Sequence, residues 1–453
     1  GSDMKRRQFI QAGAGVSLGL ATQLAAWAQE TGMVHESATP GDHPPPAGAA
    51  QEGAQPAAAP SGGMPSGPMS KGPDDQHEAM KRVVKSIYAP TRYVFVADRF
   101  SNFISVTDIV SGEHIETLYF SMRPNVFEMA RDDAMMAVGA YEVPAIEFMN
   151  LKTRERRRVE LPSPVFQIFF VPQTNLVAVG LRDQVGMINY KDFTVRIFPR
   201  RFDSDQRDAL INTYYSLLFS SFSQSFWVLD EDRPCIYHRY GGAEPLDAPW
   251  ETIDLSKHIG TGSGLGIGVA SPEDDLLAMT TDDGSEGLVY FPAQDKVLST
   301  GPMRTVGSTN EPMIMPYIDA YSKHVIFADV TGNVAMFDLV NGNGTPERFR
   351  VNFSPRFVRT GWLESTWILA GDKGIMFQSF KDPSDRKIVR FVPEVMNMWV
   401  TGDSKTALYT LDEGAPYIYR FDIRTREQLP PIRVRGVTMA SMLRMGSNNS
   451  ICY

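Results

Sequence analysis

Two kinds of charged residue recur along the chain beyond residue 93, spaced about 40 residues apart. Carboxylates stand at Asp98, Glu142, Asp183, Asp230 with Glu231 and Asp232, Asp282 with Asp283, Asp329, Asp372, and Asp412 with Glu413. Cations stand at Arg123, Arg200 with Arg201, Lys257 with His258, Arg304, Arg356 and Arg435. Gathered on one face, such a series makes a cationic ring beside an acidic one. Focused charge of that kind draws in a ligand or partner of opposite sign. Arg123, Arg356 and His258 are the residues expected to hold a cofactor there. The competing role is bracing, because Asp closes turns onto its own backbone and Arg–Asp pairs stiffen loops.

Other chemistries find less support. His114, His238, His258 and His324 fall in four different repeats, and a metal held by imidazoles needs them together, so no metal site is expected. The run Gly260, Gly262, Gly264, Gly266 and Gly268 matches neither the dinucleotide nor the phosphate-loop pattern. The fragment Gly262-Ser263-Gly264 lacks the strand–turn–helix setting of a nucleophile elbow. A tightly packed inner strand is the expected use of these glycines. Met313, Met315, Met396, Met398, Met439 and Trp399 are expected near a central axis as packing. Cys235 and Cys452 fall in distant parts of the chain, and no disulfide between them is expected. No catalytic residue emerges, and the identity of any cofactor stays open.

The elements that must position these residues are short strands separated by turns. One clear unit runs through Val126–Met129, Met135–Ala140, Ala145–Leu151 and Arg156–Leu161. The next runs through Val165–Ile168, Leu176–Gly180, Gly186–Tyr190 and Thr194–Phe198. Further units begin near Thr213, Leu265, Met313, Phe357 and Val395, and third strands end in aromatic-Asp pairs at Phe337-Asp338 and Phe421-Asp422. Four strands per unit at this period specifies an all-β fold, a β-propeller. The first unit, from Tyr93, offers three strands. A spare strand near Thr438–Arg444 completes it and closes the ring by joining the two ends. The count is then eight units, with seven as the alternative.

The N-terminal region reads differently. Residues 1–28 comprise a three-residue lead and a segment with Arg6-Arg7-Gln8-Phe9 ahead of an uncharged apolar run and Ala26-Trp27-Ala28. This has the form of a twin-arginine export signal; an ordinary secretory signal or an uncleaved anchor is the other reading. Residues 29–73, dominated by Pro, Ala, Gly and Ser, form a disordered linker. Residues 74–90 give a short helix and lead-in, and 91–453 the propeller. His35, His43, Met64, Met69, His77 and Met80 are ligand types suited to copper, though their irregular spacing equally suits a plain tether. A net charge of −9 argues against nucleic acid as a partner. No apolar span follows the signal.

The segments Pro316–Leu339 and Asp403–Asp412, with the strand near Met439–Gly446, resemble the periplasmic propellers that include amine dehydrogenase heavy chains and cytochrome d1-type domains. The resemblance implies a periplasmic fold and a place in redox systems. Amine dehydrogenase heavy chains have seven units and leave the quinone cofactor to a light chain. The expected function is a binding or scaffold subunit with a protein partner in the periplasm. The alternatives are an oxidoreductase holding a cofactor or metal at the axial mouth, and copper handling through the linker.

Overall fold

The computed structural model describes residue 88 and residues 91–130, 134–172, 174–181, 184–198, 217–220, 223–240, 249–261, 264–271, 276–303, 316–412 and 416–445. The signal, the linker, most of the expected helix, Asp183, Arg200, Arg201, Arg304, Met313, Met315, Glu413 and Cys452 lie outside them.

Among the described residues, thirty strands follow one another in a simple order. The first unit has β1 (Tyr93–Asp98), β2 (Phe103–Asp108) and β3 (His114–Tyr119). The second has β4 (Val126–Met129), β5 (Met135–Ala140), β6 (Val143–Asn150) and β7 (Arg156–Glu160). The third has β8 (Val165–Phe170), β9 (Leu176–Leu181), β10 (Val185–Asn189) and β11 (Thr194–Phe198). The fourth has β12 (Leu217–Ser220), β13 (Ser225–Leu229), β14 (Cys235–Tyr240) and β15 (Glu251–Asp254), followed by a one-turn helix, α1 (Ser256–Ile259). The fifth has β16 (Leu265–Ala270), β17 (Leu277–Thr281), β18 (Glu286–Phe291) and β19 (Lys296–Pro302). The sixth has β20 (Tyr317–Ile318), β21 (His324–Ala328), β22 (Asn333–Asp338) and β23 (Glu347–Arg350). The remainder are β24 (Ser354–Gly361), β25 (Thr366–Ser379), β26 (Arg386–Val400), β27 (Thr406–Leu411), β28 (Tyr417–Asp422), β29 (Glu427–Arg433) and β30 (Ala440–Met445).

These strands make seven antiparallel sheets, six of four strands and one of six. The six-stranded sheet contains two long strands that change partner midway. β25 pairs with β24 through Thr366–Asp372 and with β26 through Asp372–Gln378; β26 then pairs with β27 through Val395–Val400. Lys373, at the changeover, takes a left-handed φ of 63°. The C-terminal strand β30 pairs with β1, from Val94 opposite Met445 to Asp98 opposite Ala440. Asp98 fixes the approach by accepting from the N–H groups of Thr438 and Met439 at 2.7 and 3.1 Å.

Burial follows position within a unit. Second and third strands are covered on both faces by neighbouring sheets, so they read as unbroken apolar runs. Met135–Ala140 is buried throughout. Outer strands alternate, as in Thr194–Phe198, because only one face of them is covered. Eight apolar clusters lie between successive units. One of them joins Val94, Val96 and Leu443 to Trp399, Leu408 and Ile418, and so links the first unit to the last. The aromatic-Asp strand ends close turns: Asp338 accepts from the N–H of Val340 and Asn341, and Asp422 from that of Thr425. Cys235 is buried between the third and fourth units.

Candidate functional site

Strands of one unit run alternately up and down. The turn from second to third strand and the connection from one unit to the next therefore emerge at the same end, here called the mouth. Five inner strands carry a register shift close to this end: Val165/Gln167 in β8, Leu265/Gly268 in β16, Pro355/Phe357 in β24, Val395/Asn397 in β26, and Ala440/Met442 in β30. A bulge gives the strand an extra residue and re-aims a side chain. Phe166, Arg356 and Met396 are the residues so released. Phe166 stacks on Tyr141 from the β5–β6 turn, with centroids 5.5 Å apart and planes 18° from parallel.

Arg356 anchors a charged cluster at the mouth. Its Nε lies 2.6 Å from Glu394 Oε1. The N–H of Glu394 donates to Asp412 Oδ1 at 2.9 Å, and the N–H of Asp412 donates to the Glu394 carbonyl at 3.0 Å. Burial holds the Glu394 carboxyl above the usual range; Arg356 and Arg99 oppose this, and Asp372 and Asp412 reinforce it. Burial also draws the Arg99 guanidinium below its usual value, against the pull of Asp412 and Glu394. Arg99 Nη1 sits 2.9 Å from the Met439 sulfur. Two cations, three carboxylates and a thioether thus meet where the ends of the chain are joined.

A second constellation lies further along the inner strands. Arg359 on β24 places its guanidinium carbon 5.8 Å from the centre of the Tyr317 ring on β20 and 5.1 Å from that of Trp399 on β26. Arg444 on β30 stands 4.3 Å from the same indole, and its Nε is 3.9 Å from Glu128 Oε2 on β4. Five successive inner strands thereby contribute one residue each to a belt. Burial pushes the Glu128 carboxyl upward, opposed by Arg444 and by the Met129 N–H. On the far side, Gln167 Nε2 donates to the Leu217 carbonyl at 3.0 Å, joining β8 to β12. Arg359 Nε, Trp399 Nε1 and Gln167 Oε1 are buried and lack a hydrogen-bond partner.

The three residues singled out from sequence are not brought together. Arg123 is exposed in the connection leading into β4. Arg356 is in the mouth cluster. His258 lies on α1, with Nε2 3.2 Å from Asp295 Oδ1, and Lys257 contacts the same carboxylate. Asp295 belongs to the β18–β19 turn, at the end opposite the mouth. The segment is drawn there because Leu255 and Ile259 pack with Leu288 and Val297 between the fourth and fifth units. His258 therefore lines a groove on the outer side of the fifth unit with Thr281, Glu286 and Ser299, the first two flanking the β17–β18 turn.

Three members of the expected acidic ring serve as braces. Asp98, Asp230 and Asp329 are buried. Asp230 accepts from the N–H of Asp232 and the hydroxyl of Tyr237, and Asp329 from the N–H groups of Thr331 and Asn333. Among the described residues no group of three or more His, Cys, Asp or Glu forms a metal-binding cluster. The belt residues Arg359, Arg444, Glu128 and Gln167 escaped the sequence reading. For Glu128, Arg359 and Arg444 the signal was a charged residue on a first strand opposite the third residue of the second strand, Ala137, Ile368 and Phe95.

Repeated four-stranded sheets, joined inner strands and a polar inner wall define a propeller-type protein. No family model and no curated protein matches the chain. Among solved structures it is similar to NirN, a dihydro-heme d1 dehydrogenase in complex with DHE. The TM-score is 0.62 at 12% identity, covering 80% of this chain and 77% of that one. It is also similar to the Dos1 propeller, with a TM-score of 0.51 at 8% identity, covering 69% and 84%. The expected resemblance to cytochrome d1-type propellers holds at the level of the fold. No helix among the described residues is long and apolar enough to cross a membrane.

Proposed function

We propose that this chain is an exported, periplasmic binding or scaffold propeller serving a redox system, with its partner docking at the mouth. The observation carrying the reading is the charged cluster of Arg99, Arg356, Asp372, Glu394 and Asp412 beside bulged inner strands, β24, β26 and β30. Such re-aimed strand ends are over-represented next to functional sites. Arg123 adds an exposed cation at the same end. The ring is read as eight units, with β24 to β29 forming the seventh and eighth. Support comes from the partner change within β25 and β26 and from the eight inter-unit clusters. Export rests on Arg6-Arg7 and the apolar run after them. Purification from the native cell envelope, followed by mass spectrometry of co-eluting chains, tests the proposal. Co-elution of a periplasmic redox protein, lost on Arg356→Glu, is expected; a lone monomer with turnover of its own overturns it.

A second reading makes the chain an oxidoreductase holding a cofactor at the mouth through Arg123 and Arg356. It is favoured by the likeness to NirN, whose structure holds DHE. A visible absorption spectrum and metal analysis of native protein decide between the two. A colourless, metal-free sample overturns the second.

A further inference from the structure

We infer that the inner wall binds a small oxyanion, a carboxylate or an inorganic one, between Arg359 and Trp399. The argument starts from charge. The Arg444 guanidinium faces the Glu128 carboxylate at 3.9 Å. Arg359 has no carboxylate within ion-pair distance among the described residues; its one hydrogen bond there is from Nη1 to the Val358 carbonyl, at 2.7 Å. Its other neighbours are the rings of Tyr317 and Trp399. Rings attract a cation through their faces but leave its N–H donors unused.

The donors make the second half of the case. Arg359 Nε and Trp399 Nε1 are both buried N–H groups without an acceptor. A buried donor left unpaired costs on the order of 1–3 kcal/mol, so two on adjacent inner strands mark a place where an acceptor completes the structure. Both unmet groups donate, and the nearest formal charge is positive. An anion supplies acceptors and countercharge together, and planar oxyanions match the guanidinium fork. Glu128 lies on the other side of Arg444 and confines the attractive region to the Arg359 side. The site is separate from the mouth cluster, and its test does not depend on finding a docking partner.

Isothermal titration calorimetry of the full chain with sodium formate and with sodium nitrate, at ionic strength fixed with chloride, tests the inference. At least one of the two is expected to bind one per chain. Formate alone identifies an organic carboxylate, nitrate alone an inorganic oxyanion, and both the shared chemistry. Arg359→Gln is expected to weaken binding by about tenfold or more, Trp399→Phe by less, and Arg359→Lys by an intermediate factor. Lys191→Gln, on the outer surface, leaves it unchanged. Circular dichroism establishes that each variant is folded. Failure of both anions to bind overturns the inference. So does unchanged affinity in Arg359→Gln or, should that variant not fold, in both Arg359→Lys and Trp399→Phe.

Discussion

The guanidinium carbon of Arg444 lies 4.3 Å from the centre of the Trp399 indole, and the two residues stand on neighbouring inner strands, β30 and β26. Cation–π contact of a partly desolvated arginine is worth about 0.5–2 kcal/mol. A double-mutant cycle of Trp399→Leu and Arg444→Met is expected to return a coupling of about that size in urea unfolding. Additivity within error removes the contact from the account of stability.

The closing strand should matter as much as any core strand. Leu443 is 0% exposed and packs with Val94, Val96 and Leu408. Leu443→Ala is expected to cost about 2–5 kcal/mol, since the cavity opens between two sheets that cannot both collapse onto it. Chemical denaturation with an unchanged slope checks this; a loss below the error of the fit rejects it.

A buried ion pair ties the first unit to the second. Arg156 and Glu147 approach to 3.4 Å with side chains 7% and 2% exposed. Glu147 also accepts from the Ser121 N–H, and Arg156 donates to the Tyr119 carbonyl. Arg156→Met alone is expected to destabilise by about 3–5 kcal/mol, because it strands a buried carboxylate. Pairing it with Glu147→Gln should recover part of that loss.

Glu394 supplies a pH dependence with a definite sign. Burial raises its carboxyl in the folded chain, so the folded state binds that proton more tightly than the unfolded state. Stability from this group is greatest below the ordinary glutamate range and declines as pH rises through the window up to the folded value. Glu394→Gln is expected to flatten that decline in thermal midpoints taken across the acidic range. An identical slope in the variant assigns the effect elsewhere.

Gly264 stands where the chain enters β16. A Cβ there would lie 1.8 Å from the Glu231 carbonyl oxygen and 2.8 Å from the Asp232 nitrogen. Both neighbours are backbone, so no side chain can swing aside. Gly264→Ala is expected to lower stability by about 1–3 kcal/mol or more, whereas Gly260→Ser, with open space around it but a φ of 81°, should cost only the smaller strain of a left-handed backbone.

Much of the fold was legible because period and polarity are local properties. Thr194–Phe198 appears as read; Val165–Ile168 and Leu176–Gly180 are each present and slightly longer. The pairing of the C-terminal strand with β1 was legible from a shortfall, since the first unit offered three strands where others have four. The site was less so. Asp98, Asp230 and Asp329, read as ring members, brace loops instead, because composition cannot tell a carboxylate facing solvent from one bonded to its own loop. Strand order alone did not show the pairing of His258 with Asp295, which follows from the packing of Leu255 and Ile259. The belt was invisible for another reason: Arg359, Trp399, Arg444 and Glu128 meet only because the fold brings inner strands distant in sequence side by side.

The register of β1 against β30 carries a mechanical consequence. Val94 faces Met445 while Asp98 faces Ala440, so the outward ends of the two strands leave the sheet on the same side. Tension applied between them would part the cross-strand hydrogen bonds one after another, as in peeling, instead of loading them together. The junction is therefore the point at which the pulled fold opens at low force, while the sheets on either side keep their own shape.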